Sequence, residues 1–381
     1  MPSPEHLRIA RVRAIAVRGF LDTCGFVRVW ADDGSFGTGE LIDAVGAVEI
    51  INRHIGPSLV GRNPLDIEAY WHDMWTWSEL TGAIPPMFIR GLGGPFLAAA
   101  SAIEVALWDL AGKVLGLPVY RLLGGKVRDR IPTYFHSAGP GEAERALAVG
   151  ATAIKSRHGF PEHLAQMADR RNWTGSPSDI DRIVGAVTEL RNAVGRDIGI
   201  AVDCLGMFDA TTAVRLARAL EPLQLLWLEE PTTSDNADVM AEVTRRSSPV
   251  PIAAGENIHT RYGFRPFLEK QALSVIQPDM FKSGGFLETK KVAAAAEVYR
   301  IPVAPHGVPS PLGMHALVHL CATIPNLLTL EWANFFTDGL NALAAPPRMV
   351  DGYVEVDDAP GLGVELNESA LREVADPWEE S

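Results

Sequence analysis

The chain is poor in cysteine, in basic charge and in unbroken apolar runs. Its three cysteines, Cys24, Cys204 and Cys321, stand far apart in 381 residues. That excludes a disulfide framework or a cysteine zinc pair and fits a reducing cytoplasm. Lysine and arginine total 34 against 47 aspartates and glutamates, a net charge of −13. Bulk charge of this sign does not hold a phosphate backbone or an anionic membrane surface. An anionic ligand therefore needs a local cation. Glu5, Arg8, Arg11 and Arg13 come before any apolar run, so no secretory segment is expected. The most apolar long stretch, 311–330, is interrupted by His315, His319 and Pro325, and no membrane span is expected there.

What is present is globular: 47% hydrophobic and 21% charged residues. At about 150 residues per domain the length implies two or three domains. A (β/α)₈ barrel takes about 250 residues, which leaves about 130 for something else. The N-terminal part reads α+β. Runs at 26–31 and up to Gly39-Glu40, joined by Asp32-Asp33-Gly34, signal a hairpin. Helical periodicity follows at 47–55 and 65–77, then a long loop rich in Gly, Pro and aromatics at 75–94. A strong helix at 96–115 is stopped by Gly116 and Pro118.

From residue 131 the pattern changes. Eight β-rich runs, at 131–138, 153–158, 198–204, 225–231, 251–256, 274–280, 301–306 and 327–332, alternate with helical stretches at 178–194, 210–220, 237–247, 261–270 and 287–299. Repeated strand–helix alternation predicts a parallel sheet closed as a barrel. An open doubly wound sheet would carry a Gly-rich phosphate turn after its first strand, and none is visible. The tail 348–371 reads as a short strand and a turn.

Barrel active sites lie at the C-terminal ends of the strands. Here seven successive runs end in, or carry, ionisable residues: Lys155 with Arg157, Asp203, Glu229-Glu230, Glu256, Asp279, His306 and Glu331. Several sit inside the apolar run, where a helix cap would not be. Asp203, Glu229 and Glu256 bring three hard oxygen donors together without Cys or His. This favours one Mg²⁺ over zinc or copper, the alternatives being a structural ion or a salt-bridge network. Asp279 beside His306 fixes one imidazole nitrogen and makes the other a general base. Lys155 and Arg157 alternate on one strand and are expected to point into the barrel. Lys155 would act as base or electrostatic clamp, and Arg157 as a clamp for a carboxylate or polyhydroxy substrate. Glu331 would donate a hydrogen bond to an oxyanion if protonated, or else serve as a salt-bridge partner.

The helix Ser101-Ala102-Ile103-Glu104-Val105-Ala106-Leu107-Trp108-Asp109-Leu110-Ala111-Gly112-Lys113, followed by Leu122-Leu123-Gly124-Gly125, resembles the signature of the mandelate racemase/muconate lactonizing enzyme branch of the enolase superfamily. Trp227-Leu228-Glu229-Glu230-Pro231 and Gly255-Glu256-Asn257 match as well, and His306, Asp279 and Glu331 resemble the mandelate racemase subgroup. The resemblance implies a modified TIM barrel, (β/α)₇β, at 129–345. It implies an α+β capping domain built from 1–128 and completed by 346–381. It also implies Mg²⁺ on Asp203, Glu229 and Glu256, abstraction of the proton α to a carboxylate to give an enediolate, a small-molecule carboxylate substrate and a homo-oligomer, dimer or octamer. Two positions depart from the subgroup: Lys155-x-Arg157 where Lys-x-Lys is frequent, and Leu205 where Asn is frequent. With one clear base, His306, the expected activity is dehydration of a sugar acid (aldonate or aldarate) to a 2-keto-3-deoxy acid. Alternatives are a racemase or epimerase of α-substituted acids, a non-catalytic binding barrel and, more weakly, a cycloisomerase. The segments 18–25 and 75–94 would fold over the rim as lids, with Phe20, Cys24, Met87, Phe88 and Arg90 as candidate contacts.

Overall fold

Apolar and charged residues alternate closely enough through Ile9–Ala16 to build a strand, β1, with one buried face. It pairs antiparallel with β2 (Gly25–Ala31), and β2 pairs with β3 (Phe36–Leu41). The expected hairpin is β2–β3; β1 is an addition to the sequence reading. Gly34 turns the chain with φ 87°, and the Ser35 N–H and hydroxyl donate to Asp33 Oδ1 at 2.9 and 2.6 Å. The computed structural model describes residues 4–18, 24–42, 45–76, 94–160, 174–332 and 338–378. Most of 18–25 and 75–94, including Phe20, Met87, Phe88 and Arg90, lies outside the described residues.

Behind this sheet run helix α1 (Ile67–Thr76) and the long helix α2 (Pro95–Leu115). Pro95 starts α2, and Gly116, at φ 67°, ends it with the Leu117 N–H donating to the Gly112 carbonyl. By length and composition α2 could cross a membrane, but 89% of its apolar window is buried in the protein. It lies unusually close to β3. A Cβ at Gly37 or Gly39 would stand 2.0 Å from the carbonyl oxygen of Ala106 or Ala102, so glycine on that face of β3 sets the approach.

The second unit is a parallel sheet wrapped by helices. Its strands are β4 (Arg130–Ser137), β5 (Ala153–Ser156), β6 (Gly199–Asp203), β7 (Trp227–Glu229), β8 (Ile252–Ala254), β9 (Val275–Ile276) and β10 (Leu330–Trp332). Parallel ladders join β4 through β9 in order, and β10 pairs with β4. The helices are α3 (Pro140–Ala148), α4 (Pro177–Val194), α5 (Ala210–Leu220), α6 (Ala237–Ser247), α7 (Thr260–Glu269), α8 (Gly285–Val298) and α9 (Pro311–Ala322). Their bounds fall within about two residues of the periodicity wherever it was read. The seventh run departs from expectation. Residues 301–306 form no ladder; Val303 makes single bridges to Ile276 and Leu327, and His306 one to Asp279. Prolines at 302 and 305 remove two donors, which is enough to deny this segment regular pairing. One inward side chain per strand, Tyr134, Ala153, Ala201, Trp227, Ala253, Val275 and Ala304, fills the middle of the ring. The alanines leave room for Tyr134 and Trp227 to pack edge to face at 5.2 Å. The rim therefore rests on a solid floor.

Buried carboxylates join the two units. Glu104 of α2 accepts the N–H groups of Phe286 and Leu287 at the start of α8, at 2.8 and 3.0 Å. Glu40 of β3 accepts from Ser310 N, Ser310 Oγ and Gly313 N at the start of α9. Both sit at helix N-termini, where unpaired N–H groups and the helix dipole favour an anion. Asp109 takes the N–H groups of Thr38 and Leu362 and pairs with Lys113. These contacts are the physical content of the motif helix: Glu104 and Asp109 are its docking groups. The tail touches both units. Strand β11 (Met349–Val350) pairs antiparallel with β12 (Tyr353–Glu355), and β12 pairs antiparallel with β4. Helix α10 (Glu368–Val374) then leads back to the first sheet, where Ala375 bridges Val17 and Trp378 packs edge-on against Trp30.

Candidate active site

Parallel pairing fixes where the rim residues stand. Asp203 and Glu229 are direct register partners at the ends of β6 and β7. Glu256 follows β8 by two residues and Asp279 follows β9 by three. His306 faces Asp279 through their bridge, and Glu331 lies within β10. Lys155 of β5 is opposite His136 of β4. Seven of the eight residues expected at the site are thus joined in one polar network; Arg157 is the exception.

Lys155 is the cationic centre of that network. Its Nζ donates to Glu229 Oε1 at 2.9 Å, pairs with Glu331 Oε1 and lies 3.9 Å from Asp203 Oδ2. Burial works against the ammonium, but Glu229, Glu331, Tyr134 and Asp203 outweigh it and hold Lys155 well above the usual lysine range. Glu229 is fixed on its other oxygen by Trp227 Nε1 at 2.9 Å. Asp203 accepts the Leu205 N–H at 3.0 Å. Leu205 adopts φ 50° to do so, a left-handed conformation that Asn tolerates better than Leu.

His306 lies between carboxylates on both nitrogens. Nδ1 meets Asp279 Oδ2 at 2.8 Å, and Nε2 is 3.2 Å from Glu256 Oε2 and 3.8 Å from Glu331 Oε2. Asp279 is fully buried, and the Phe281 N–H fixes its other oxygen at 2.8 Å. Burial disfavours the imidazolium, yet Glu331, Glu256 and Asp279 push the His306 pKa up to about 10. Held this way, His306 keeps its proton while it is paired with Glu256.

Two expectations are corrected. β5 ends at Ser156, so Arg157 does not alternate into the barrel; it is exposed, and among the described residues it makes no ion pair. The strand stops there because the Phe160 N–H turns back to the Arg157 carbonyl. The other concerns Glu331, for which the sequence leaves two readings open. Burial favours its neutral form, but Lys155, His306 and His136 hold it well below the usual carboxylate range. Of its two readings the salt-bridge partner is the one realised.

The sequence sets Glu230 aside as the less likely ligand of its pair and does not single out His136. Glu230 is buried, and burial together with repulsion from Glu256 pushes its pKa up to about 8. His136 is bonded through Nε2 to Glu331 Oε1 at 2.6 Å. Its signal was available: it ends the first β-rich run at the same height as Lys155 on the second. His136, Lys155, Asp203, Arg157 and His158 line a cavity of about 710 Å³ that opens beside α3.

Among the described residues, no three His, Cys, Asp or Glu side chains already stand around a common point at metal-binding spacing. Lys155 has drawn Glu229 and Asp203, and His306 has drawn Glu256. The donor set nevertheless fits a hard dication. It is all oxygen, it lies on consecutive strand ends, and its negative charge exceeds what Lys155 cancels: burial and then Glu229 push Asp203 up to about 7 in spite of that lysine.

Comparison with known proteins agrees with this architecture. Residues 20–124 match the mandelate racemase/muconate lactonizing enzyme N-terminal domain, and residues 141–370 match the enolase C-terminal domain-like family. The chain is 38% identical to a D-xylonate dehydratase of Haloferax volcanii over 91% of its own length and 84% of that protein's. It is 33% identical to a D-galactonate dehydratase of Ralstonia nicotianae, covering 91% and 90%. Among solved structures, it superposes on a mandelate racemase/muconate lactonizing enzyme-like protein from Rubrobacter xylanophilus with TM-score 0.86 and 36% identity over 98% and 99% of the two chains. A member of the enolase superfamily from Salmonella Typhimurium matches with TM-score 0.88 and 29% identity over 97% and 98%. The two-unit architecture, the strand-end carboxylates and these matches agree: the chain belongs to the mandelate racemase/muconate lactonizing enzyme family of the enolase superfamily.

Proposed function

We propose that this enzyme dehydrates a sugar acid, an aldonate or aldarate, to a 2-keto-3-deoxy acid. The observation that carries the reading is the Asp279–His306 dyad at 2.8 Å, set among strand-end carboxylates, with Arg157 in place of a second lysine on the Lys155 segment and Lys282 4.0 Å from Asp279 Oδ2. Likeness to D-xylonate and D-galactonate dehydratases supports it. Enolase-superfamily sites in general pair a Lys or His base with Mg²⁺. In this chain Asp203, Glu229 and Glu256 would hold one such ion; when bound it supplies the positive charge that attracts a substrate carboxylate and offsets charge developing on it.

The rest is done by side chains. Glu256, after Glu331, is one of the groups that raise the His306 pKa, so engaging Glu256 elsewhere makes the imidazole readier to release its proton. His306 Nε2 then takes the proton α to the carboxylate, with Asp279 fixing the tautomer through Nδ1. Lys155 sets a positive charge beside the forming enediolate, and Glu331 keeps that ammonium in place. Racemisation needs a base on each face of the α-carbon. Arg157 is exposed and lies outside the strand, and Lys155 is locked among carboxylates, so dehydration is favoured. Three widely spaced cysteines suit a reducing compartment, and we place the enzyme in the cytoplasm. Incubation with Mg²⁺ and an acid-sugar library, trapping keto acid with semicarbazide, tests the reading; no signal across the library rejects it.

A further inference from the structure

The dehydration proposed above must move two protons: one leaves Cα, and one joins the departing β-hydroxyl. His306 is placed for the first. Arg157 is exposed and Lys155 is tied to Glu229 and Glu331, so neither is placed to supply the second, and His306 can return its proton only to a hydroxyl that leaves from the same face as the α-proton.

The structure supplies a group. Going round the ring, His306 precedes the strand that carries Glu331, and His136 follows it on β4. The two histidines flank one carboxylate. Glu331 Oε1 takes His136 Nε2 at 2.6 Å, while Oε2 takes the Gly307 N–H at 3.0 Å and lies 3.8 Å from His306 Nε2. His136 is thus backed by a carboxylate as His306 is by Asp279. Its side chain is 14% exposed, and that exposure faces the cavity shared with Lys155 and Asp203.

We propose that His136 is a further catalytic residue, the acid that protonates the leaving hydroxyl. The proposal rests on the dehydratase reading. His306 removes the Cα proton, and the C–H electron pair moves into the enediolate. As that pair forms the Cα–Cβ double bond, the Cβ–O bond breaks. The departing oxygen takes a proton from the His136 ring and leaves as water. The resulting enol tautomerises to the 2-keto acid, and solvent returns a proton to His136 while taking one from His306. No oxidant or reductant is needed. Glu331 serves here as the positioning residue for His136.

The test separates proton delivery from folding. His136→Gln keeps an N–H that can reach Glu331 but cannot transfer a proton; His136→Asn is the second variant. Each is assayed with Mg²⁺ on D-xylonate and D-galactonate and on their 3-deoxy-3-fluoro analogues, whose fluoride leaves without an acid. The expected result is a fall of about 100-fold or more in keto acid from the hydroxy acids. Fluoride release should stay within about threefold of wild type, and α-proton exchange into D₂O should persist. His306→Asn should lose all three. Dehydration by both His136 variants within about threefold of wild type overturns the proposal. So does a parallel loss of fluoride release and exchange in both, which would mark a merely structural histidine. A wild-type enzyme that makes no keto acid from any acid sugar fails earlier and visibly, rejecting the dehydratase reading and this proposal with it.

Discussion

The protein buries carboxylates in two places, and it treats them differently. At the junction of the two units, Glu40, Glu104 and Asp109 each accept backbone N–H groups from another element. Around the barrel rim, Asp203, Glu229, Glu256, Asp279 and Glu331 face one another and share Lys155, His306 and His136. The junction groups are held mainly by backbone N–H donors, with Lys113 as the one charged partner, on Asp109. The rim groups have mobile, charged partners that a cation or substrate can replace. A buried acid whose donors are backbone holds a fold together; one whose partners are other ionisable side chains is available for chemistry.

The largest expected effect breaks the rim. His306→Asn or Glu256→Gln should lower keto acid formation by about 10²–10⁴-fold while the far-ultraviolet spectrum and melting temperature change little; a variant retaining wild-type turnover would put the chemistry elsewhere. Next comes a direct contrast. Lys155→Met leaves rim carboxylates without their ammonium and should destabilise by about 3–5 kcal/mol. Mg²⁺ should restore more of that loss than it adds to the wild type, because a dication meets the same unmet charge. Thermal melts with and without Mg²⁺ read this out, and an equal Mg²⁺ response in both proteins would count against the cation site.

Breaking the junction should look different. Glu104→Ala strands the N–H groups of Phe286 and Leu287 and should destabilise by about 2–4 kcal/mol, with no special response to Mg²⁺ in denaturant titrations. The smallest effect is in pH. Burial pushes Glu104, like Glu40, up to about 7 despite its donors. The folded form therefore keeps a proton between about pH 4.5 and 7 that the unfolded chain has lost, so stability falls as pH rises through that window. Subtracting the curve of Glu104→Gln from that of the wild type should isolate a decline of about 1–3 kcal/mol. A flat difference would mean that Glu104 ionises normally in place.

The same contrast explains what could be read from the sequence. Strand–helix alternation and the rim acids were visible because each depends on local spacing: Asp203 and Glu229 close short apolar runs, and α5 and α6 lie where the periodicity put them. The docking role of Glu104 was visible only as part of a motif, since its partners are about 180 residues away. Strand length was not legible. β5 stops one residue before Arg157, where the Phe160 N–H turns back to the Arg157 carbonyl, and the run at 301–306, with prolines at 302 and 305, pairs only by single bridges. Nor was the ionisation of Glu331, which its three cationic or imidazole neighbours decide. His136 was overlooked because a lone histidine in a first strand has no local partner to mark it.

The tail has a consequence for how the protein is made. Val17 near the start pairs with Ala375 near the end, and β12 lies against the first strand of the barrel. Synthesis runs from the N-terminus, so β1–β3 and α2 leave the ribosome long before the segment that seals them. Until residue 355 is made β4 lacks its antiparallel neighbour, and until residue 375 is made the first sheet lacks its bridge to the tail. Synthesis of residues 346–375 is therefore an assembly step, and a ribosome stalled near residue 345 should hold a chain still open to proteolysis at both places.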